Sequence, residues 1–346
     1  MPEKLKLPAA FAQRMVDWQR QHGRQSLPWQ NTRDPYRVWL SEIMLQQTQV
    51  STVLDYYPRF LQRFPDVAAL AVAPQDDVLG LWSGLGYYSR ARNLHRCAQD
   101  VVSRFGGAFP STAEQLVTLP GIGRSTAAAI AAFCFHERAA ILDGNVKRVL
   151  TRVLGYGEDL AQSAHERSLW ALAEQLLPEP GADMPAYTQS LMDLGATVCL
   201  PRKVQCEACP VAGQCQALQQ AKPLAYPVKT RKLKRSSAAL WLLWAVNAKG
   251  QVWLHKRPAR GIWAGLFSLP VFDDEASLLA ACTKTRAPEY ITPWKHVLTH
   301  RDLHLHPVRL QVLQDPLSEG QWVDAQDWPQ LGLPAPIRLL LEGQKG

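Results

Sequence analysis

The chain has 346 residues, enough for two or three domains that each bury a core of their own. Its formal net charge of +8 favours a polyanionic partner. No apolar stretch is long enough to cross a membrane, and the amino terminus lacks the apolar core of a signal peptide. These properties argue against a transmembrane protein. We expect a cytoplasmic monomer, associated with the nucleoid if the source is bacterial.

Helical periodicity dominates residues 1 to about 221, and one helix is predicted to begin at Asp34, with Pro35 in its first turn. On this helix Glu42 has Trp39 and Val38 one turn before it. An acid among apolar side chains has a destabilised anion, so its pKa should rise and it can serve as a general acid near neutral pH. The alternative is a surface glutamate beside a buried stripe, which the local sequence alone favours.

A turn with two glycines, Gly121 and Gly123, opens an alanine-rich helix in the segment LPGIGRSTAAAI. Because glycine lacks a Cβ, backbone N–H groups can approach an anion at the amino end of that helix. A nucleic-acid phosphate is the obvious candidate. A plain turn between two packed helices fits the local sequence equally well.

Asp143 comes just before a helix that starts near Asn145 and is predicted to end at Gly155. Arg148 and Arg152 should face away from its apolar stripe. The helix dipole and free N–H groups should lower the pKa of Asp143 and keep it ionised. One neutral and one charged acid together can break a glycosidic bond, although a plain N-cap is the alternative for Asp143.

The chain contains seven cysteines, and four of them are clustered in a C-x6-C-x2-C-x5-C run. The clustered cysteines are Cys199, Cys206, Cys209 and Cys215. Thiolates this close together would repel one another unless a cation or cluster neutralised them, so the run predicts a metal site. The spacing favours an iron–sulfur cluster, with zinc as the alternative. Cys97, Cys134 and Cys282 lie in apolar sequence and are predicted to be structural.

The pattern changes after residue 221. Residues 222–235, KPLAYPVKTRKLKR, contain two prolines and six basic residues and predict a linker, possibly in contact with phosphates. From residue 236 the runs AALWLLWAVNAKGQVWLHKR, LFSLPVF and HPVRLQVL predict strands, while DDEASLLAAC and APIRLLLEG predict helices. A small α+β domain is therefore expected over residues 236–346.

The motifs LPGIGRSTAAAI, ILDGNVKRVL and the cysteine run, in that order, resemble the endonuclease III superfamily of helix-hairpin-helix DNA glycosylases. LPWQNTRDPYRVWLSEIMLQQTQV and LWSGLGYYSRARNLH narrow the resemblance to its adenine DNA glycosylase, or MutY, family over nearly the whole chain. The resemblance implies an all-α glycosylase domain with a [4Fe–4S] cluster over residues 1–221, its hairpin at about 116–130 and its cluster loop at 199–215. A linker at 222–235 and a Nudix-like domain at 236–346 would follow.

This resemblance also assigns roles within a pocket for a flipped base. It implies double-stranded DNA with adenine opposite 8-oxoguanine or guanine as the partner. Glu42 would protonate adenine N7, Asp143 would stabilise the sugar cation or bond to it transiently, and Asn145 would assist. Bifunctional relatives have a lysine where this chain has Ser125. Since serine cannot form a Schiff base, a monofunctional enzyme is predicted.

Further DNA contacts follow from the same resemblance. Gln47 and Tyr87 would fill the stack near the extruded base, the alternatives being plain surface and core packing respectively. Gln189 is predicted to contact DNA as well. In the second domain Thr299 and His300, from WKHVLTHRDLHL, would inspect 8-oxoguanine; a core histidine is the alternative for His300.

The second domain departs from the family pattern at one residue. Leu298 replaces the phenylalanine usual in the family, which puts any packing role of that aromatic ring in doubt. The glutamate-rich Nudix signature is missing, so pyrophosphate hydrolysis is not expected. Two other functions stay open for the whole chain: a glycosylase for another mispaired base such as thymine, and a non-catalytic iron–sulfur protein that binds DNA.

Overall fold

The computed structural model describes residues 7–231, 234–281 and 287–343. The helices are α1 Phe11–His22, α2 Pro35–Leu45, α3 Val50–Arg63, α4 Val67–Val72, α5 Gln75–Leu81, α6 Ser89–Phe105, α7 Ala113–Leu116, α8 Arg124–Phe135, α9 Gly144–Leu154, α10 Ser163–Gln175, α11 Met184–Asp193, α12 Gln216–Gln219, α13 Glu275–Ala280 and α14 Ala335–Leu341. A π-helical turn, Leu194–Val198, continues α11. Within the described ranges, none of the helices is both long and apolar enough to span a bilayer.

The strands all follow the helical part of the chain. They are β1 Ser236–Val246, β2 Val252–Lys256, β3 Phe267–Ser268, β4 Val271–Phe272, β5 Glu289–Tyr290, β6 Trp294–Val297, β7 Arg301–Gln311 and β8 Gln321–Val323. The predicted fold class, a helical domain followed by a small strand-rich one, is therefore confirmed.

The predicted helix signals act as expected. Asp34 caps α2 by accepting a hydrogen bond from the Tyr36 N–H at 2.9 Å, with Pro35 at the first helical position. Gly155 ends α9 in the left-handed region, at φ 64°. The apolar stripe of α9 is buried in the helical core. Local sequence thus decides where these helices begin and end.

Two arginines of α9 correct the sequence analysis. Arg148 and Arg152 were expected to face away from the core, but they are only 9% and 2% exposed. Both guanidinium groups donate hydrogen bonds to backbone carbonyl oxygens between residues 195 and 201. The amphipathic pattern fails here because a charged group can be buried once enough acceptors surround it.

The chain forms two compact units. The first unit comprises residues 1–57 and 97–232, and the second comprises residues 58–96 and 233–346. Helices α4 and α5 therefore belong with the sheet, although the sequence analysis drew consecutive domains. The domain limits at 221 and 236 remain a prediction.

The second unit is built on a mixed sheet. β1 pairs in parallel with β7 from Ser236↔Arg301 to Val246↔Gln311, and β7 pairs antiparallel with β6. Leucines on one face of the sheet pack beneath α14, and residues on the other face pack beneath α13. The sheet thereby places residues 298–300 in the tight turn between β6 and β7, which we call the β6–β7 turn.

Candidate active site

A cavity of about 1080 Å³ lies in the first unit. Its walls come from α2, the amino ends of α8 and α9, and α11. The predicted residues that it brings together are Glu42, Gln47, Ser125, Asp143, Asn145 and Gln189. Residues far apart in sequence, on separate helices, thus share one space large enough for a nucleobase and part of its sugar.

Glu42 lies on the cavity wall with apolar neighbours on its own helix. Trp39 is fully buried and Val38 is 3% exposed, and both pack on the turn before Glu42. Among the described residues, the structure gives the Glu42 carboxyl no hydrogen-bond donor. Burial raises the pKa of Glu42 to about 8, and the nearby negative charge of Asp143 adds to the increase. Glu42 is partly buried on the cavity wall and is not a surface glutamate, and its raised pKa favours the protonated form near neutral pH.

Asp143 is the N-cap of α9. Its Oδ1 accepts a hydrogen bond from the Val146 N–H at 2.7 Å. Burial nevertheless raises the pKa of Asp143, while hydrogen bonds from Val146 and Asn145 and the charge of Arg148 lower it. The expectation of a lowered pKa was wrong in direction, because the loss of hydration outweighs the cap. Of the two acids, Asp143 has the donors and cations that favour an anion, whereas none is found around Glu42 in the described parts of the chain.

Ser125 and Asn145 are held in place by hydrogen bonds beside the acids. The Ser125 hydroxyl accepts a hydrogen bond from the Leu142 N–H at 3.0 Å, one residue before Asp143. The Asn145 side-chain oxygen, Oδ1, accepts one from the Arg148 Nη2 at 2.8 Å. Both side chains are therefore fixed before any substrate arrives.

Arg148 is a site residue that the sequence analysis missed. Besides Asn145, it donates to the Gly195 carbonyl at 2.6 Å and to the Cys199 carbonyl at 2.8 Å. The backbone at Gly195 runs so close that an added Cβ would lie 2.7 Å from the Asn145 Cβ, so only glycine fits there. Arg148 thus ties the cavity wall to the loop that begins at Cys199.

Gln30 is a second missed residue on the cavity wall. Its Oε1 accepts a hydrogen bond from the Leu27 N–H at 3.3 Å, but its buried Nε2 has no partner among the described residues. An amide N–H without an acceptor is costly to bury, and a base nitrogen could satisfy it. Gln30 belongs to the segment LPWQNTRDPYRVWLSEIMLQQTQV, but that segment assigns Gln30 no role, and only the fold places it on the cavity wall.

The glycine turn lies at the surface, away from the cavity lining. Gly121 has φ +78°, a conformation that favours glycine, and Gly123 is the N-cap of α8, with open space where a Cβ would stand. Buried Leu119 and Ile122 anchor the turn. The first N–H groups of α8 have no acceptor within the helix, so they can meet an anion at the surface.

The four clustered cysteines line one small cavity. Burial raises the pKa of the Cys209 thiol to about 12, so the thiol is neutral without a metal. The Arg152 Nη1 lies 3.3 Å from the Cys199 Sγ and supplies a positive charge next to the group. In the described parts of the chain, no cluster of three or more His, Cys, Asp or Glu side chains has the geometry of a metal-ion site.

The remaining cysteines are consistent with structural roles where they are described. Cys97 is fully buried, and Cys134 is partly buried with a pKa that burial raises to about 12. Cys282 lies outside the described residues.

Gln47 and Tyr87 are exposed, and each has a left-handed backbone, at φ 57° and 48°. Tyr87 is 44% exposed, so the core-packing alternative is excluded. Its hydroxyl forms a 2.8 Å hydrogen bond with the Thr299 hydroxyl, within the second unit. Tyr87 and Thr299, both predicted to contact DNA, are thus hydrogen-bonded to each other.

The β6–β7 turn presents Thr299 and His300 to solvent, so His300 is not a core histidine. Leu298 packs partly against the core beneath α14. Arg235, at the end of the predicted linker, donates to the Leu298 and Thr299 carbonyls at 2.8 and 3.0 Å and pairs with Asp302. This basic residue therefore braces the turn.

Comparisons with known proteins agree with this arrangement. Residues 40–175 match the family described as HhH-GPD superfamily base excision DNA repair protein, and residues 241–343 match the NUDIX domain family. An adenine DNA glycosylase from Buchnera aphidicola subsp. Baizongia pistaciae is 35% identical over 342 residues, covering 96% of this chain and 95% of that protein.

Two further relatives match the helical part. The adenine DNA glycosylase of Mus musculus is 46% identical over 221 residues, which cover 61% of this chain and 42% of that protein. The solved structure of a thermostable thymine-DNA glycosylase is 29% identical with a TM-score of 0.53, covering 61% of this chain and 96% of that one. By its match along almost the full length of the first relative, the chain belongs to the adenine DNA glycosylase family and is a DNA N-glycosylase of base excision repair.

Proposed function

We propose that the protein hydrolyses the N-glycosidic bond of adenine mispaired with 8-oxoguanine or guanine and leaves an intact abasic site. The observation that carries this proposal is the pair of acids in one cavity, with the pKa of Glu42 raised to about 8 beside Asp143. A proton donor and a carboxylate on one cavity wall suit cleavage through an oxocarbenium-like transition state.

Glu42 would supply the proton that makes adenine a leaving group, at N7 of the flipped base. Adenine leaves poorly as an anion, so protonation must accompany cleavage of its bond to the sugar. A carboxyl with a pKa of about 8 still carries that proton at neutral pH. Apolar Trp39 and Val38 maintain this state by excluding water from one side of the carboxyl.

Asp143 would stabilise the positive charge that develops on the sugar. Its Oδ1 is held by the Val146 N–H, so the carboxylate needs little reorganisation during the reaction. Asn145, fixed by Arg148, adds a polar group next to it. The Asp143 carboxylate oxygens would act in either case, whether they stabilise the sugar cation by charge or form a transient covalent bond to it.

The reaction should end at the abasic site because Ser125 has no amine. Its hydroxyl is occupied by the Leu142 N–H, so it serves to hold the backbone before Asp143. Replacing Ser125 with lysine tests this point: a nearby amine could attack the sugar carbon, and strand breaks without alkali should appear. A Ser125→Ala variant should form none.

DNA would be held through both units. The α8 N–H groups beside Gly121 and Gly123 suit a phosphate, and Gln47 on the cavity suits the space left by the extruded base. Exposed Tyr87, in the second unit, offers a planar ring for contact with DNA bases. Thr299 and His300 offer hydrogen-bonding groups to an oxidised base on the opposite strand. Binding should weaken steeply with salt, since phosphate contacts release counterions.

The protein is proposed to be a monomer. Sedimentation of the free protein and of its DNA complex would test this oligomeric state.

We also propose that Cys199, Cys206, Cys209 and Cys215 hold a [4Fe–4S] cluster. Four cysteines around one cavity and the Arg152 charge beside Cys199 support this assignment. When bound, the cluster would cross-link the loop that begins after the π-helical turn. Iron and sulfide analysis, with a broad visible absorption band, distinguishes the cluster from zinc, which gives no such band.

The deciding experiment is single-turnover base release from duplexes that hold adenine opposite 8-oxoguanine, guanine or thymine, and thymine opposite guanine, each read with and without alkali. Strand breaks that need alkali, for adenine opposite 8-oxoguanine and guanine, support the proposal. Breaks without alkali overturn monofunctionality, and preferred release of thymine overturns the substrate. Asp143→Asn serves as the control, since binding without turnover marks an enzyme and not a DNA-binding protein alone.

A further inference from the structure

We propose that residues 331–338, which lead into α14, hold residues 83–88 in the conformation that presents Tyr87, so that DNA contact by Tyr87 depends on Ser83 and Arg338. We call residues 83–88 the Tyr87 loop and residues 331–338 the α14 anchor. The inference deepens the proposed function, because it assumes that Tyr87 contacts DNA bases. Ser83 and Arg338 are positioning residues, since they act on DNA only through the loop.

The Tyr87 loop has an unusual backbone and exposes its aromatic ring. Gly84, Gly86 and Tyr87 have positive φ angles of 103°, 71° and 48°. A residue with a side chain keeps such a conformation only where the surrounding structure imposes it. The Tyr87 side chain is 44% exposed, so core packing does not impose it. Contacts made by the neighbouring residues of the loop must therefore do so.

Arg90, on α6, fixes the inside of the loop. Its Nη2 donates hydrogen bonds to the Leu85 carbonyl at 3.1 Å and to the Gly86 carbonyl at 3.2 Å. Its guanidinium lies 5.4 Å from the ring centroid of Trp82 and 5.5 Å from that of Tyr87. All these groups belong to one short stretch of chain, so they shape the loop without fixing its place on the second unit.

The Leu333 carbonyl oxygen fixes that place. It accepts hydrogen bonds from the Ser83 hydroxyl at 2.9 Å and from the Tyr88 hydroxyl at 2.8 Å. The Leu333 side chain is fully buried in the core beneath α14, so this acceptor cannot shift without disturbing that core. One backbone atom of the α14 anchor thus binds the first and the last residue of the Tyr87 loop.

Arg338, on α14, completes the anchor. Its Nε donates to the Ser83 hydroxyl at 3.2 Å, and its Nη2 donates to the Leu331 carbonyl at 3.0 Å. The Ser83 hydroxyl therefore accepts from Arg338 while it donates to Leu333, which sets the direction of its proton. Because the guanidinium is a planar fork of donors, Arg338 links the loop and the anchor backbone in one fixed geometry.

The backbone of α5 also lies directly against the start of the anchor. A Cβ on Gly80 would lie 2.3 Å from the Gln330 carbonyl oxygen, and a Cβ on Gly332 would lie 2.8 Å from the Leu79 Cβ. Neither position has room for a side chain, so the two backbones meet without one between them. Since the Tyr87 loop begins two residues after α5 ends, this contact helps to place its first residue.

The test is a double-mutant cycle on the rate of adenine release opposite 8-oxoguanine, measured with protein below saturation so that the rate includes DNA binding. Tyr87→Ala should lower this rate by roughly 10-fold, because it removes a ring that can stack on a base. Arg338→Met and Ser83→Ala should each lower it by roughly 3-fold to 10-fold while Tyr87 is present. In the Tyr87→Ala background neither should lower it further, because a displaced loop matters only if it carries the ring.

A purely structural role gives a different result. Loss of folding would lower the rate with or without the Tyr87 ring, and equal decreases in both backgrounds would overturn the inference. Parent rates in folded Arg338→Met and Ser83→Ala would overturn it as well. Ser83→Ala removes a single oxygen, so it tests the anchor even if Arg338→Met does not fold.

Asp76 offers a matched control on α5. It forms an ion pair with Lys256 of β2 at 2.6 Å, which joins the same helix to the sheet but does not touch the Tyr87 loop. Asp76→Asn should leave the rate unchanged in both backgrounds. A decrease as large as that of Arg338→Met would mean that any link between α5 and the sheet suffices, and would refute a specific anchor.

The proposed function and the anchor fail separately. If the parent protein releases no adenine, the proposed function fails. If it releases adenine and Tyr87→Ala does so at the parent rate, the assumed DNA contact fails and the anchor with it. If Tyr87→Ala is slow but the anchor variants are not, only the anchor is refuted.

Discussion

The cavity of the first unit and the β6–β7 turn of the second unit hold their polar side chains in opposite ways. In the cavity Asp143 and Gln189 each have a fixed protein partner, and the partly buried Glu42 carboxyl has a raised pKa. In the turn Thr299 and His300 are exposed, and Thr299 is held by one hydroxyl contact. Bond cleavage needs groups preorganised in a low dielectric, whereas reading a base on another strand needs groups that DNA can reach.

Loss of the cavity carboxylate should have the largest effect. We expect Asp143→Asn to slow adenine release by roughly 1000-fold. Asparagine caps a helix about as well as aspartate, so the melting temperature should change little. Single-turnover kinetics with a thermal melt would separate the two effects, and a rate within about tenfold of the parent protein would contradict the role of the carboxylate.

Loss of the proton donor should be nearly as severe. Glu42→Gln should slow release by roughly 100-fold. In the parent protein the rate should fall as pH rises through about 8, because the pKa of Glu42 lies there and the charged form has no proton to give. A pH–rate profile on both sides of that value checks the direction. A rate that rises there would assign the base role to Glu42 instead.

The same substitution should stabilise the fold. The pKa of Glu42 is about 8 when folded and about 4.5 when exposed, so the folded state binds the proton more tightly. Stability is therefore full below about pH 4.5 and decreases as pH rises toward about 8. Near neutral pH, Glu42→Gln should gain at most about 3 kcal/mol in the free energy of unfolding. Urea titrations at acidic and neutral pH would measure the stability difference between Glu42→Gln and the parent protein. The linkage argument requires that this difference increase with pH.

Arg148 connects Asn145 on the cavity wall to the backbone at Gly195 and Cys199. Arg148→Met should lower the free energy of unfolding by about 2–4 kcal/mol, since the Gly195 and Cys199 carbonyls lose the hydrogen bonds that Arg148 donates. Exposed Arg14, on α1, is the control, and Arg14→Met should change stability by less than about 0.5 kcal/mol. Equal effects in denaturant titrations would mean that burial of Arg148 contributes little.

The exposed turn should show the smallest effect. Thr299→Val and Tyr87→Phe each remove one side of the same hydrogen bond, so the double variant should lose no more stability than either single one. Each loss should be under about 1 kcal/mol. Release of adenine opposite 8-oxoguanine should slow a few-fold, with less change opposite guanine. Equal slowing opposite both bases would remove Thr299 from lesion recognition.

Local sequence predicted the parts of the molecule that depend on near neighbours. Helix starts at Asp34 and Asp143, the stop at Gly155 and the change to strands at residue 236 follow from capping, glycine conformation and hydrophobic period. The parallel pairing of β1 with β7 and the short strands β5, β6 and β8 escaped prediction, because distant segments determine them.

In the candidate site, too, some features were predictable from the sequence and others depend on the fold. Motifs and a family resemblance named Glu42, Asp143 and the cysteines from the sequence. The burial of Arg148 and Arg152 and the direction of the Asp143 pKa were decided by tertiary structure. Each depends on how much water is excluded and which acceptors lie nearby, and those conditions exist only after helices distant in sequence have packed together.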